Sequence, residues 1–288
     1  MVAWGGSWVN VKVLSNYIDE FEMILFRFGI TALSMIPIII YLKKSFKIDL
    51  KSFVLVVLSA IVFIAYMKYF FLGTKYGTAS LGGAFVTTLI PINTFIFLVI
   101  LGDKRITKKD IFALVLGAIG VMSMLNVWKF NKEEIFVVQN LYFILASIFW
   151  PILTIISSKS TKISPLVFTF YLYIVTVVFD LLFFVDVTKI EYEKFDALFY
   201  FNLATISLLA TTFANSIYFL GIERLGASEV SSFIFLVPVS AIVLSAVFLK
   251  EHISLSIIIG TVLTLIAIKI LNNIKIPLKL NLFDKFGL

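Results

Sequence analysis

The 288-residue chain is 61% hydrophobic and 14% charged, where a soluble domain is about 45–50% apolar and about 25% charged; its mean hydropathy is +1.07. That balance excludes a water-soluble fold and makes lipid the solvent. No cysteine is present, which excludes disulfides and thiolate metal sites. The single histidine, His252, leaves no histidine-based metal centre or serine–histidine–acid triad, and the net charge of +7 sits between apolar runs rather than forming a nucleic-acid surface.

A helix needs about 20 apolar residues to cross a bilayer. By that measure the chain reads as ten spans, at 2–14, 21–42, 53–72, 80–101, 111–127, 140–157, 165–185, 199–221, 228–249 and 253–271. The first is short and contains Lys12, so a turn or two of helix 1 is expected to be missing from the start. Met1 leads directly into Val2-Ala3-Trp4, which gives no cleavable signal peptide. With the amino terminus placed in the cytoplasm, the inner loops hold Lys43, Lys44, Lys47, Lys51, Lys104, Arg105, Lys108, Lys109, Lys159, Lys162, Arg224, Lys275, Lys279 and Lys285. The outer loops hold Lys75, Lys129, Lys132, Lys189, Lys194 and Lys250. The positive-inside rule therefore expects both termini of this multi-pass protein on the cytoplasmic side.

The chain also repeats itself. Tyr69-Phe70-Phe71-Leu72-Gly73 is echoed by Tyr218-Phe219-Leu220-Gly221, Gly77-Thr78-Ala79-Ser80 by Gly226-Ala227-Ser228, and Pro91 by Pro238. The offset is 149 residues at the glycines and 147 at the prolines. Five spans per copy, an odd number, forces opposite orientations. The expected fold is thus all-α, with ten transmembrane helices as two inverted five-helix repeats around a central cavity. The first repeat covers 1–127, an outer linker 128–139, the second repeat 140–272 and a cytoplasmic tail 273–288.

Several motifs resemble one family. Trp4-Gly5-Gly6-Ser7-Trp8-Val9 followed by Lys12 is similar to the helix 1 opening of the EamA family of the drug/metabolite transporter superfamily. Arg27-Phe28 resembles its helix 2 arginine, and Pro91 and Pro238 its mid-helix proline. Lys250-Glu251-His252-Ile253-Ser254 with Gly260 resembles its Gly-Glu-Arg-Leu-Ser…Gly signature. The first copy departs from that signature, with Lys104 for the usual glutamate and Ala113 for the usual glycine. The resemblance implies a cavity lined by helices 1, 3, 4, 6, 8 and 9. On those helices stand Asn10, Tyr66, Tyr69, Asn93, Trp150, Asn215 and Tyr218, polar groups able to orient a metabolite without burying a charge. Interhelical hydrogen bonding explains each of them separately about as well.

Pro91 and Pro238 are expected hinges, freeing the carbonyls near Thr87 and Ile234. Thr87 and Thr88 are placed to satisfy the first of these, with Gly82, Gly83, Ser231 and Ser232 permitting close approach. Lys12, Arg27 and Lys68 fall toward the outer side. Each snorkels to the interface or forms a structural ion pair, as Arg27 could with Glu20, or else Lys68 or Arg27 gives a positive outer vestibule that receives a carboxylate or other anion. Asp180 reads as an interface residue, Ala113, Gly117 and Gly120 as packing seams within the bundle, and His252 as solvated.

The function these features imply is a secondary transporter or uniporter of a small metabolite, an exporter of amino acids or related compounds by alternating access. It is expected to be monomeric, to need no cofactor and not to be an enzyme; proton coupling stays open. No Walker-type motif is present. A multidrug or cation exporter is disfavoured because helix 1 has no embedded carboxylate. An integral-membrane lipid-modifying enzyme needs clustered acids or histidines that are not there, and a channel needs a repeated filter sequence.

Overall fold

The computed structural model describes residues 1–102, 105–125, 137–160, 162–217 and 236–271. Among these, all regular secondary structure is helical: α1 (Val2–Leu14), α2 (Glu20–Tyr41), α3 (Leu50–Tyr76), α4 (Ala79–Ile100), α5 (Lys108–Met124), α6 (Val138–Ser158), α7 (Pro165–Phe183), α8 (Ala197–Ile217), α9 (Leu236–Phe248) and α10 (Leu255–Leu271). Six of them, α2, α3, α4, α6, α7 and α8, are long and apolar enough to cross a membrane; α9 and α10 are shorter apolar helices. Tyr218, Ile234, Ser231, Ser232, Lys104 and the tail lie outside the described residues.

Phenylalanine, isoleucine and valine are mediocre helix formers, but a backbone in hydrocarbon has no other way to pair its amides. The ends are set by polar caps. Asp19 accepts from the amides of Phe21 and Glu22 while its own amide donates to Glu22, a capping box that starts α2. Thr107 and Asp110 start α5 in the same way, and Asp49, Thr78 and Asp196 cap α3, α4 and α8. Asp196 also accepts from the Tyr17 hydroxyl at 3.0 Å. The Phe199 amide and this hydroxyl hold its carboxyl below the usual range against the opposing effect of desolvation.

The connections sort to two ends. Lys12 at the end of α1 reaches the α3–α4 turn, Glu251 of the α9–α10 turn reaches the start of α4, and Phe21 at the start of α2 stacks on Phe184 just after α7. At the opposite end the Tyr171 hydroxyl of α7 donates to the carbonyl of Phe46, in the α2–α3 connection, and Ser160 after α6 donates to Ser52 in α3. Packing across the chain midpoint is reciprocal for most pairs, though α10 also packs on α4 with no comparable packing of α9 on α5 among the described residues. α1 packs on α8 and α9, while α6 packs on α3 and α4. Likewise α2 packs on α8 while α7 packs on α3, and α2·α7, α4·α9 and α5·α10 pair directly.

Close approach depends on missing side chains. A β-carbon built on Gly5 would lie 2.5 Å from the Ser240 β-carbon, and one on Gly83 would collide with Ala241. The helix 5 glycines pack inside the bundle, Gly117 against Ile92 and Ala267 and Gly120 against Gly260 and Thr264. The threonines beside Pro91 depart from expectation. Their hydroxyls donate one turn upstream, Thr87 to the carbonyl of Gly83 and Thr88 to that of Ala84, instead of serving the carbonyl that the proline frees. A helical threonine reaches its i−4 carbonyl without strain, which is the physical reason. Prolines 37 and 151 also lie inside helices, α2 and α6, and the sequence reading gave them no role.

Gly83→Leu is expected to lose at least about 1–3 kcal/mol of stability by overpacking. Gly29→Ala, with nothing within 4 Å of the added carbon, is expected to leave the melting temperature unchanged or raise it. Thermal unfolding of both variants in detergent checks this.

Candidate functional site

The polar side chains of the interior converge on α8. Its residues Thr205–Phe213 are wound as a π-helix, a geometry that recurs at functional positions. Thr211 and Thr212 donate to carbonyls five residues back, those of Ile206 and Ser207, at 2.7 and 2.9 Å. The same hydroxyls face α2. Arg27 Nε donates to Thr211 Oγ1 at 3.1 Å, Ser34 shares a hydrogen bond with Thr212 at 2.6 Å, and Thr31 donates to the Ser207 carbonyl at 3.2 Å.

At its two ends α8 grips α1. Asn10 donates to Asn202 at 2.9 Å, and the Trp4 indole donates to Asn215 at 2.9 Å. Asn215 in turn donates to the Tyr173 hydroxyl on α7 at 2.8 Å. The Arg27 guanidinium lies 5.1 Å from the Phe28 ring centroid and within electrostatic reach of the Tyr66 and Tyr173 phenols. Aromatic rings surround it: Phe28 stacks on Tyr173, Phe63 touches Phe28, Tyr66 and Tyr173, and Tyr66 packs on Trp150 at 4.8 Å.

Of the residues singled out in the sequence, Arg27, Tyr66, Trp150 and Asn215 thus belong to one region. Asn10 is buried against Asn202 beside it. Asn93 makes a separate bridge, donating to the carbonyl and hydroxyl of Ser147 on α6, both at 3.0 Å. Tyr69 stands apart, stacked on Tyr142 and Phe149. Tyr218 lies outside the described residues. Pro91 lies inside α4, which runs unbroken through it, and Pro238 is buried near the described start of α9. Trp4, Tyr173, Asn202, Thr211 and Thr212 were not singled out as site residues. For all but Trp4, which stands on α1, the signal is a row of hydrogen-bonding side chains on helices 7 and 8 that an apolar count passes over.

The three charges have different surroundings. Arg27 has its hydrogen bond to Thr211 and no carboxylate partner among the described residues, where ion pairs occur only in the exposed 186–194 stretch. Pairing with Glu20 is therefore absent. Lys12 donates to the carbonyls of Lys75 and Gly77 at 2.8 and 2.7 Å, closing the carboxyl end of α3. Glu251 accepts from the amides of Ala79 and Ser80 at 2.8 and 2.9 Å, closing the amino end of α4. Each charge has the sign that the helix dipole favours at its terminus. Lys68 lies 5.4 Å from the centroid of the Phe21 ring, half-buried. His252 is exposed. Asp180 departs from the interface position expected of it, being fully buried. A shallow cleft of about 630 Å³, lined by Asp49, Leu50, Lys51, Val54, Leu55 and Lys162, opens at the start of α3, away from this network.

A bundle with six spanning-length apolar helices and its polar groups paired across helix interfaces is a multi-pass membrane protein. The model of the EamA-like transporter family matches residues 1–126 and 138–273, and the chain belongs to that family. It is 24% identical over 275 residues to the uncharacterized transporter YyaM of Bacillus subtilis (strain 168), covering 92% of this chain and 88% of that one. It is 31% identical over 182 residues to the S-adenosylmethionine uptake transporter of Rickettsia prowazekii (strain Madrid E), covering 60% of this chain and 57% of the relative. A crystal structure of 14% sequence identity shares the fold, with a TM-score of 0.63 over 93% of this chain and 92% of its own. The family and these relatives are transporters and not enzymes.

Glu251→Ala, which uncaps α4, is expected to cost about 1–2 kcal/mol. Glu251→Gln, which keeps an acceptor, should cost less. A fall in melting temperature ordered Ala, then Gln, then wild type is the expected measurement.

Proposed function

We propose that the protein is a secondary transporter of amino acids or amino-acid derivatives, and that Arg27 receives the substrate's carboxylate. The observation that carries this reading is a guanidinium set inside a membrane bundle with a threonine for a partner and no acid among the described residues. An ionised group at such a position is costly and marks a ligand or ion path by default. Its planar fork suits a carboxylate, and Tyr66, Trp150, Tyr173, Trp4 and Asn215 surround it with apolar faces and few oriented polar atoms. Asn10 on α1 adjoins this region, and the proposed path extends from it to Tyr69 on α3 and Asn93 on α4, with Tyr218 its further expected member. Lys12 and Lys68 stand toward its outer mouth. A fixed positive charge also disfavours a multidrug or cation exporter whose substrates have no carboxylate.

Alternating access is supported by the reciprocal packing of α1–α5 against α6–α10, which matches an exchange of each helix with the one five later. The two matched stretches, 1–126 and 138–273, agree with repeats at 1–127 and 140–272. On this reading ten helices form two inverted halves, Pro91 and Pro238 serve as matched hinges, and both termini face the cytoplasm of a monomer. Export is the direction the family resemblance suggested; uptake is the direction in the name of the Rickettsia relative. That relative's substrate contains an amino-acid carboxylate, which fits the Arg27 assignment.

Proteoliposomes preloaded with unlabelled amino acids or S-adenosylmethionine are expected to show saturable counterflow of the labelled compound, and the matching amides none. A charged hydrogen bond contributes about 1.5–3 kcal/mol, so Arg27→Gln should lower counterflow roughly ten- to hundred-fold. Asn215→Ala should lower it less. Equal counterflow of acids and amides would remove Arg27 from the site, and lipid turnover without any flux would remove the transporter reading.

A further inference from the structure

Asp180 has no place in the site just described, yet it is the most unusual polar group in the bundle. It sits near the end of α7 with zero exposure, and neither carboxyl oxygen has a hydrogen-bond partner among the described residues. One turn earlier on α7, Thr176 is equally buried and its hydroxyl is likewise unpartnered. A further turn along is Tyr173, which accepts a hydrogen bond from Asn215 and keeps its own proton to donate. Positions 173, 176 and 180 share one face of a helix. They form a polar stripe in an apolar wall, running from the Arg27 region toward the Asp19 end.

The helices packed on α7 are α2 and α3. From α2 the charged groups are Asp19 at its cap, Glu20, Glu22 and Arg27, and from α3 they are Lys51, Lys68 and Lys75. None of these forms a hydrogen bond or ion pair with Asp180 among the described residues. Lys68 is directed elsewhere, onto the Phe21 ring, and Phe21 in turn stacks on Phe184 at 4.5 Å, four residues beyond Asp180. Arg27 is taken up two turns away, beside Tyr173. An ionised carboxylate here would be buried and unpaired, a costly combination. A protonated carboxyl meets none of those penalties.

We propose that Asp180 is the proton-carrying group of this transporter. A proton from water adds to a carboxylate oxygen when the Asp19 end opens and hydrates the site. The neutral acid is carried in the closed bundle seen here, and the proton returns to water in the alternate state, along Thr176 and Tyr173. No other co-reactant is needed. The coupling role rests on the transporter reading, and the protonation of Asp180 does not.

Two measurements separate these. In the infrared spectrum of the purified protein, a carbonyl stretch of a protonated, unbonded carboxyl group is expected. It should shift in heavy water, disappear in Asp180→Asn and move in Asp180→Glu. A wild-type spectrum without that band overturns the proposal whether or not the variants fold. In proteoliposomes with a radiolabelled mixture of the protein amino acids, Asp180→Asn is expected to retain counterflow. Accumulation driven by an imposed pH difference should fall at least tenfold, to the level of protein-free vesicles, and Asp180→Glu should keep a measurable part of it. Undiminished pH-driven accumulation in Asp180→Asn overturns the coupling role while leaving the transporter intact. Absence of wild-type flux in both assays overturns the transporter reading and the coupling role together, and the infrared band then still decides whether Asp180 holds a proton.

Discussion

The rest of this bundle depends on how closely α1 and α4 approach α9. Hydrocarbon offers helices little hydrophobic reason to associate, so contact comes from packing and from polar pairs. At Gly5 and Gly83 the space of a side chain is given over to the backbone and β-carbons of Ser240 and Ala241. That contact joins residues more than 150 positions apart in sequence. It is also what brings the amino-terminal half close enough for Trp4 to meet Asn215, and for Glu251 to close the start of α4. Close packing comes first, and hydrogen bonds that need sub-ångström placement follow.

Once helices are that close, polar groups without a partner become conspicuous. Interior amides and hydroxyls such as Asn10, Asn93 and Thr31 reach across to another helix. Arg27 and Asp180 stand out because each carries a titratable or charged head without a counterpart of opposite sign among the described residues. They lie on α2 and α7, which pack directly on each other. The aromatic wall of Phe28, Phe63, Tyr66 and Tyr173 lies around the guanidinium, so a small molecule held there would touch rings on several sides.

Much of the architecture was legible in the sequence. Apolar run length placed the six spanning helices, because span length is set by the bilayer and hardly by tertiary detail. The glycines of helix 5 were read as seams within the bundle, and they pack so. The site was less legible. Arg27, Tyr66, Trp150 and Asn215 were picked out by polarity and helix membership, but their partners were not, because Thr211, Tyr173 and Trp4 look unremarkable in isolation. Asp180 was misread because distance from a span end does not say which way a side chain faces. Glu251 was seen as part of a family signature, without the α4 amides that give its charge a purpose.

The π-wound stretch of α8 explains why periodicity alone could not assemble this site. Asn202 and Asn215 are thirteen positions apart, and an ideal α-helix turns about 100° per residue, which would set them on nearly opposite sides. A nine-residue π stretch is underwound by roughly 20° per residue, because its bonds span five residues instead of four. That removes about half a turn and brings both asparagines round to α1. The helical wheel of this segment is therefore wrong by about half a revolution past Phe213, and any comparison with relatives that aligns α8 by a constant helical phase will turn Asn215 away from α1.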